Sequence, residues 1–268
     1  MVRQSAIVCT LAAILATPAG ADTRCVAESG ARRVALLELY TSEGCNSCPP
    51  TDRWVSTLPQ RGLGPDRVVT LGFHVDYWNY LGWNDPFARP AYSARQREAS
   101  HRNKARFVYT PQLLLNGRDY RRRLFADGLA DRLRALESEP PRARIRLARS
   151  PASSRAIEAS ATATIRDAAD RRDGRLYLAL YENDLANQVT TGENRGKRLR
   201  HDFVVRHLAG PYTLEVDAPV PVRHRFSLEP GWKPRDLHVA AFVQNHATGA
   251  VLQSIAAPDC PDKDTAPR

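Results

Sequence analysis

Hydrophobic positions fall into short, regularly punctuated runs. Arg32–Ser42, "RRVALLELYTS", is a compact apolar stretch of strand type, and Asp66–Trp78, "DRVVTLGFHVDYW", is a second. Between them "TDRWVSTLPQ" predicts a short helix, and Ala91–Ala105 predicts a polar one. "VYTPQLLLNGRDYRRR" reads as two strands around Asn116-Gly117, the strongest two-residue hairpin signal. Phe125–Ser138 closes the half with an amphipathic helix, Leu129, Leu133 and Leu136 on one face. The first half therefore reads strand, helix, strand, helix, strand, strand, helix.

Pro140 and Pro141 interrupt the pattern and mark a boundary. Beyond them short alternating strands dominate, from "RIRLARS" to "LHVAAFVQN", with Gly, Asp, Asn and Pro in the turns. Roughly seven such strands predict a β-sandwich. The expected organisation is an α/β domain over 30–139, a central mixed sheet flanked by helices, followed by an all-β sandwich-like domain over 142–260.

The extreme N-terminus differs. One Arg precedes an apolar run from Ala6 to Ala16, and Ala19-Gly20-Ala21 supplies small residues for a peptidase. This reads as a secretory signal peptide over 1–21, cleaved after Ala21, against the alternative of a membrane anchor. Nothing later approaches a membrane span, so no stable membrane insertion is expected and the mature chain is placed in the periplasm or outside the cell. Cleavage leaves Cys25, Cys45, Cys48 and Cys260, an even number suited to disulfides in an exported chain. Cys25 and Cys260, near the two ends, are expected to pair; free thiols are the alternative. The formal charge is +10, but arginines are scattered among acids rather than clustered on one element, so no nucleic-acid partner is expected.

"SEGCNSCPPTD", Ser42–Asp52, carries the chemistry. A strand running into Cys-x-x-Cys and then a helix is the thioredoxin arrangement. Pro49 and Pro50 suit a helix's first turn, and the helix's free N–H groups and positive end then favour a thiolate. Cys45 is the expected nucleophile and Cys48 the resolving thiol, bridged as Cys45–Cys48 in the oxidised form. Thr110-Pro111 heads the third strand, where a cis proline is expected to face the cysteines; a trans proline starting an edge strand is the alternative. His74 is weighed as a proton shuttle or a structural histidine. Glu38, seven residues before Cys45, is weighed as a buried acid serving the resolving thiol or as a surface residue. Tyr77, Trp78 and Trp83 are candidates for a substrate-binding rim, or for rings capping the core.

Together with "FHVDYWNYLGWNDPFARPAYSARQ", "ENDLANQVTTGENRGKRLRHDFVVR" and "AFVQNHATGAVLQS", these motifs resemble a bacterial group of exported thioredoxin-like proteins, domain of unknown function 1223. The resemblance covers nearly the whole mature chain. It implies a thioredoxin-like domain with an appended β-domain, and no particular substrate.

The leading expectation is a thiol–disulfide oxidoreductase acting on protein or peptide thiols and disulfides, reset by a redox partner, with no cofactor. One alternative is a copper-binding metallochaperone using Cys45, Cys48 and His74, although methionine is confined to Met1. The other is a binding module in which Cys45–Cys48 is an inert bridge. "GENRGKRLRHDF", Gly192–Phe203, is polar and basic and has no assigned chemistry.

Overall fold

The structure is a computed structural model that describes residues 25–121, 128–153, 155–214 and 219–260. The expected signal peptide and its cleavage point lie outside them, as does the start of the helix expected from Phe125. It is a mixed α/β fold with several sheets.

In chain order the elements are β1 (Cys25–Glu28), β2 (Ala35–Thr41), α1 (Pro49–Ser56), β3 (Val68–His74), α2 (Pro90–Arg102), β4 (Gln112–Leu115), β5 (Arg118–Asp119) and α3 (Leu129–Glu137). The second half supplies β6 (Ala143–Arg149), β7 (Ala156–Ile165), the short α4 (Ala168–Arg171), β8 (Gly174–Glu182), β9 (Leu185–Gln188) and β10 (Arg198–His201). It ends with β11 (Val204–Thr213), β12 (Val222–Ser227), β13 (Leu237–Asn245) and β14 (Val251–Ala256).

The α/β half and the sandwich half are joined through one sheet. An eight-stranded sheet runs β14-β13-β8-β11-β3-β2-β4-β5 across the Pro140-Pro141 boundary. The seam is the parallel pairing of β11 with β3 through Val204 and Gly72, where Gly72 N donates to the Phe203 carbonyl at 2.7 Å. Edge groups of β3 are buried here and must find partners, and β11 provides them. A sandwich does exist, but the large sheet is one of its layers. The four-stranded sheet β1-β6-β7-β12 packs on β8, β11, β13 and β14 through Leu147, Ile157, Leu178, Phe226 and Val239. Pairing β1 with β6 brings the chain's beginning into this layer.

β2 is buried throughout because both its faces are covered, which explains its near-continuous apolar run. Leu37 and Leu39 join Trp54, Val55, Leu129 and Leu133 under α1 and α3. Leu36 and Tyr40 join Phe73, Tyr92, Tyr177 and Phe242 on the other side, a core built from both halves of the chain. The Asn116-Gly117 hairpin forms as expected, with φ of 49° and 79°. A Cβ on Gly117 would stand 2.0 Å from the Gly249 carbonyl oxygen, so only glycine lets this hairpin tip seat against the β13–β14 turn. No helix among the described residues is long and apolar enough to cross a membrane.

Candidate active site

At the end of β2 the chain turns sharply. Cys45 N donates to the Ser42 carbonyl at 3.2 Å, and Cys48 N to the Cys45 carbonyl at 3.3 Å. Cys48 caps α1, its carbonyl accepting from Thr51 and Asp52 N. Pro49 and Pro50 fill the first turn, where a missing N–H leaves nothing unpaired. Cys45 and Cys48 are disulfide-bonded, with Cα atoms 5.5 Å apart. Asn46 and Ser47 between them are exposed, whereas both cysteines are fully buried.

The Thr110–Pro111 peptide bond is cis. Cys45 Sγ lies 3.9 Å from the Thr110 carbonyl oxygen and 3.3 Å from Ser47 Oγ. Trp78 Nε1 donates to Thr110 Oγ1 at 2.7 Å, which fixes the proline loop to the aromatic stretch after β3. Beyond Pro111 opens a groove of about 510 Å³ lined by Thr51, Phe107, Tyr109, Leu113, Tyr120 and Arg121. Phe107 at its rim is 70% exposed.

Behind the cysteines lies a buried ionic cluster that sequence reasoning did not assemble. Glu43 is fully buried; its Oε1 accepts from His201 Nε2 at 3.0 Å and Asn187 Nδ2 at 2.9 Å, its Oε2 from Trp83 Nε1 at 2.9 Å. His201 Nδ1 faces Asp52 Oδ1 at 3.8 Å, and Asp52 Oδ2 accepts from Thr41 Oγ1. His74 Nδ1 meets Asp85 Oδ2 at 2.7 Å, and the same oxygen accepts from Glu43 N. The two imidazoles stand edge to face, centroids 4.9 Å apart. Burial alone would lower the His201 pKa; the Asp52 and Glu43 carboxylates outweigh it and raise the pKa to about 10. Burial pushes Asp85 up, but His74 and the N–H groups of Glu43 and Phe87 more than reverse it, leaving its pKa lowered. His201 thus ties Glu43, on the turn before Cys45, to Asp52, one helical turn after Cys48.

The second half also supplies a strap. Asn194, fully buried, donates through Nδ2 to the carbonyls of Glu43 at 2.8 Å and Cys45 at 3.0 Å. Asn46 N donates to Glu193 Oε2 at 3.1 Å, and Thr191 Oγ1 to the Gly82 carbonyl. "GENRGKRLRHDF" therefore holds the cysteine loop from outside. In the sequence its Asn194 and His201 look like the polar and charged residues around them, and only their burial sets them apart. Replacing Asn194 with Ala removes both clamps on the Cys45 turn. After mild reduction, Cys45 in that variant is expected to be alkylated roughly tenfold faster than in the parent chain, an opening free energy lowered by about 1.4 kcal/mol. Mass-spectrometric timing of iodoacetamide labelling reads this, and equal rates would deny the strap any control of access.

The structure places His74 at the end of β3, committed to Asp85, within this cluster. Glu38 is buried too, but on the α2 side of the sheet, paired with Arg95 Nε at 2.8 Å while Tyr40 OH donates to it. Arg95 lies over the rings of Phe73, Tyr177 and Phe242. Asp52 is the buried carboxylate on the α1 side. Tyr77, Trp78 and Trp83 are part-buried and spend their polar atoms on Gln96, Thr110 and Glu43. Among the described residues no group of three or more His, Cys, Asp or Glu is arranged to hold a metal ion.

The structure thus sets a bridged Cys-x-x-Cys on a strand–helix turn, in an α/β sheet that continues into a sandwich. The chain belongs to the family described as protein of unknown function (DUF1223), whose model matches residues 36–244. Among solved structures it is similar to a crystal structure of a protein from Agrobacterium tumefaciens, 24% identical, TM-score 0.61, covering 87% of this chain and 98% of that one. It is also similar to HBP35 of Porphyromonas gingivalis, 14% identical, TM-score 0.62, covering 89% and 81%. These likenesses concern the fold. No curated protein matches the chain.

Proposed function

We propose that this chain is an exported thiol–disulfide oxidoreductase built on a thioredoxin-like unit. The observation that carries the reading is the Cys45–Cys48 bridge at the N-terminus of α1, with Cys45 Sγ 3.9 Å from the carbonyl that precedes cis Pro111. The strand order β3-β2-β4-β5, with α1 and α3 sharing a core under one face and α2 against the other, agrees with it. The Cys25–Cys260 bridge suits an oxidising compartment.

In the reduced form the Cys45 thiolate attacks a substrate disulfide and expels one substrate sulfur as thiolate. Cys48 then attacks Cys45 of the mixed disulfide, re-forming the bridge and releasing the second substrate thiol. The substrate gains two electrons and two protons, and a dithiol partner returns both to the pair; run in reverse, the same steps oxidise a substrate. The positive end of the α1 dipole favours the thiolate form. The groove beyond Pro111 accommodates a substrate side chain beside the exchanging sulfur.

The complete burial of both sulfurs favours a second reading, a structural bridge in a binding module. Equilibration with graded glutathione buffers separates the two, the pair being read by alkylation and mass spectrometry. A reversible two-electron transition at about −120 to −270 mV is expected of an oxidoreductase. A Cys45→Ser variant should then lose exchange activity entirely and keep its fold. A pair that stays oxidised below about −300 mV would establish the inert bridge instead.

A further inference from the structure

A second cavity, of about 390 Å³, lies away from the cysteines, between α3, the β4–β5 hairpin and the β13–β14 turn. Leu115, Tyr120, Ala135, Leu136 and Ala250 give it apolar walls, and Arg33, Arg118 and Arg132 bring three guanidinium groups to it. The size is that of a small-molecule site, and few polar groups against apolar walls are what such sites present.

The cavity's charge is under-compensated. The side chains of Arg118 and Arg132 have no ion-pair or hydrogen-bond partner among the described residues. Arg33 is 6% exposed; it pairs with Glu139 and donates through Nη2 to the Val251 carbonyl at 2.7 Å, while its buried Nε has no partner. Burial lowers the Arg33 pKa more than Glu139 raises it, so the surroundings do not fully repay the cost of desolvating the cation. Asn116, also lining the cavity and 7% exposed, accepts from Leu36 N through Oδ1 and leaves buried Nδ2 without a partner. Of the two acids at the cavity, Asp119 spends its carboxylate on Tyr109, Gln112 and Arg121. That leaves Glu139, half exposed at 55%, as the one carboxylate facing three arginines.

Arg118 and Arg132 line the cavity yet stay exposed, and guanidinium forks match the geometry of carboxylate and phosphate oxygens. We propose that this cavity binds a small organic anion, a carboxylate or phosphate monoester carried on an apolar body. The anionic group sits between Arg118 and Arg132, drawn by the field of Arg33, and the body lies on Leu115, Ala135 and Leu136. Glu139 is the competitor that a ligand anion must displace or share. The site is independent of the redox reading, although Tyr120 borders both this cavity and the groove at Pro111.

The test is calorimetric titration of the purified chain, both disulfides formed, with benzoate, hexanoate, phenyl phosphate and inorganic phosphate. Saturable binding of at least one organic anion is expected with Kd below about 1 mM. Benzoate or hexanoate prevailing assigns a carboxylate ligand; phenyl phosphate prevailing assigns a phosphate monoester. Arg118→Gln with Arg132→Gln, both at exposed positions, should weaken binding at least about tenfold with an unchanged thermal midpoint. Glu139→Gln should tighten it, an outcome that a merely structural role for Arg33 does not produce. No saturable binding up to about 10 mM would overturn the proposal. So would undiminished binding in the double arginine variant, or inorganic phosphate binding as tightly as phenyl phosphate.

Discussion

Replacing His201 with Gln is expected to destabilise the fold by about 3–5 kcal/mol, because it strips the positive partner from two buried carboxylates, Glu43 and Asp52. The same group gives stability a pH signature. Its pKa rises from 6.5 in the unfolded chain to about 10 in the folded one. The folded state therefore holds the proton more tightly, and the contribution is fully present below about pH 6.5. It is lost as pH climbs from there to about 10, and each tenfold difference in proton affinity between the two states corresponds to about 1.4 kcal/mol. Asp85 acts in the opposite direction. Its folded pKa lies below 3.8, so its contribution is present above that value and lost as pH falls through the folded pKa. Urea midpoints measured across this range should fall on the alkaline side in the parent chain and stay nearly flat there in His201→Gln. A parent profile flat from pH 6.5 to 10 would show that His201 is neutral in the folded state. Because His201 joins the two limbs of the cysteine loop, the variant should also shift the glutathione midpoint of Cys45–Cys48, which a purely remote stabilising residue would not.

The other large effect concerns the staple. Cys25 and Cys260 are 235 residues apart in sequence and 5.6 Å apart at Cα. Closing so long a loop removes entropy from the unfolded chain worth about 5 kcal/mol in the chain-entropy account. The Cys25→Ser, Cys260→Ser double variant should lose most of that in urea unfolding. β1 depends on it locally, since its four residues pair with β6 alone, from Cys25 opposite Arg149 to Glu28 opposite Arg146. The cysteine pair at α1 shares no partner with this bridge, so its redox midpoint should not move. A loss below about 1 kcal/mol would mean that the unfolded chain is already held compact by other means.

How much of this was legible in the sequence follows from the range of the interactions involved. β2, β3, the Asn116-Gly117 hairpin and α2 could be read because each rests on local rules: apolar runs, turn chemistry, helix propensity. Pro49 and Pro50 marked the first turn of α1, and Thr110-Pro111 the head of β4, for the same reason. The short β9 and β10 could not be read, being four residues each with little apolar content. Neither could the length of β11, since pairing with β8, not propensity, carries the strand past Pro211 to Tyr212 and Thr213.

The cysteines, the cis proline's position and His74 were visible as residue types in a recognisable order. Their partners were not. Asp85, Glu43, Asp52, His201 and Asn194 look in sequence like ordinary polar residues, and only burial turns them into a network, because a charge removed from water must find a counter-charge wherever the fold can supply one. By itself the sequence determined the α/β order of the first half, the strand-rich second half and the identity of the bridged pair. The tertiary structure decided that the two halves share one sheet, because the edge of β3 is satisfied only by β11. It likewise decided that the Cys45 turn lies beneath a strap from the far half of the chain, because Asn194 donates to the Glu43 and Cys45 carbonyls.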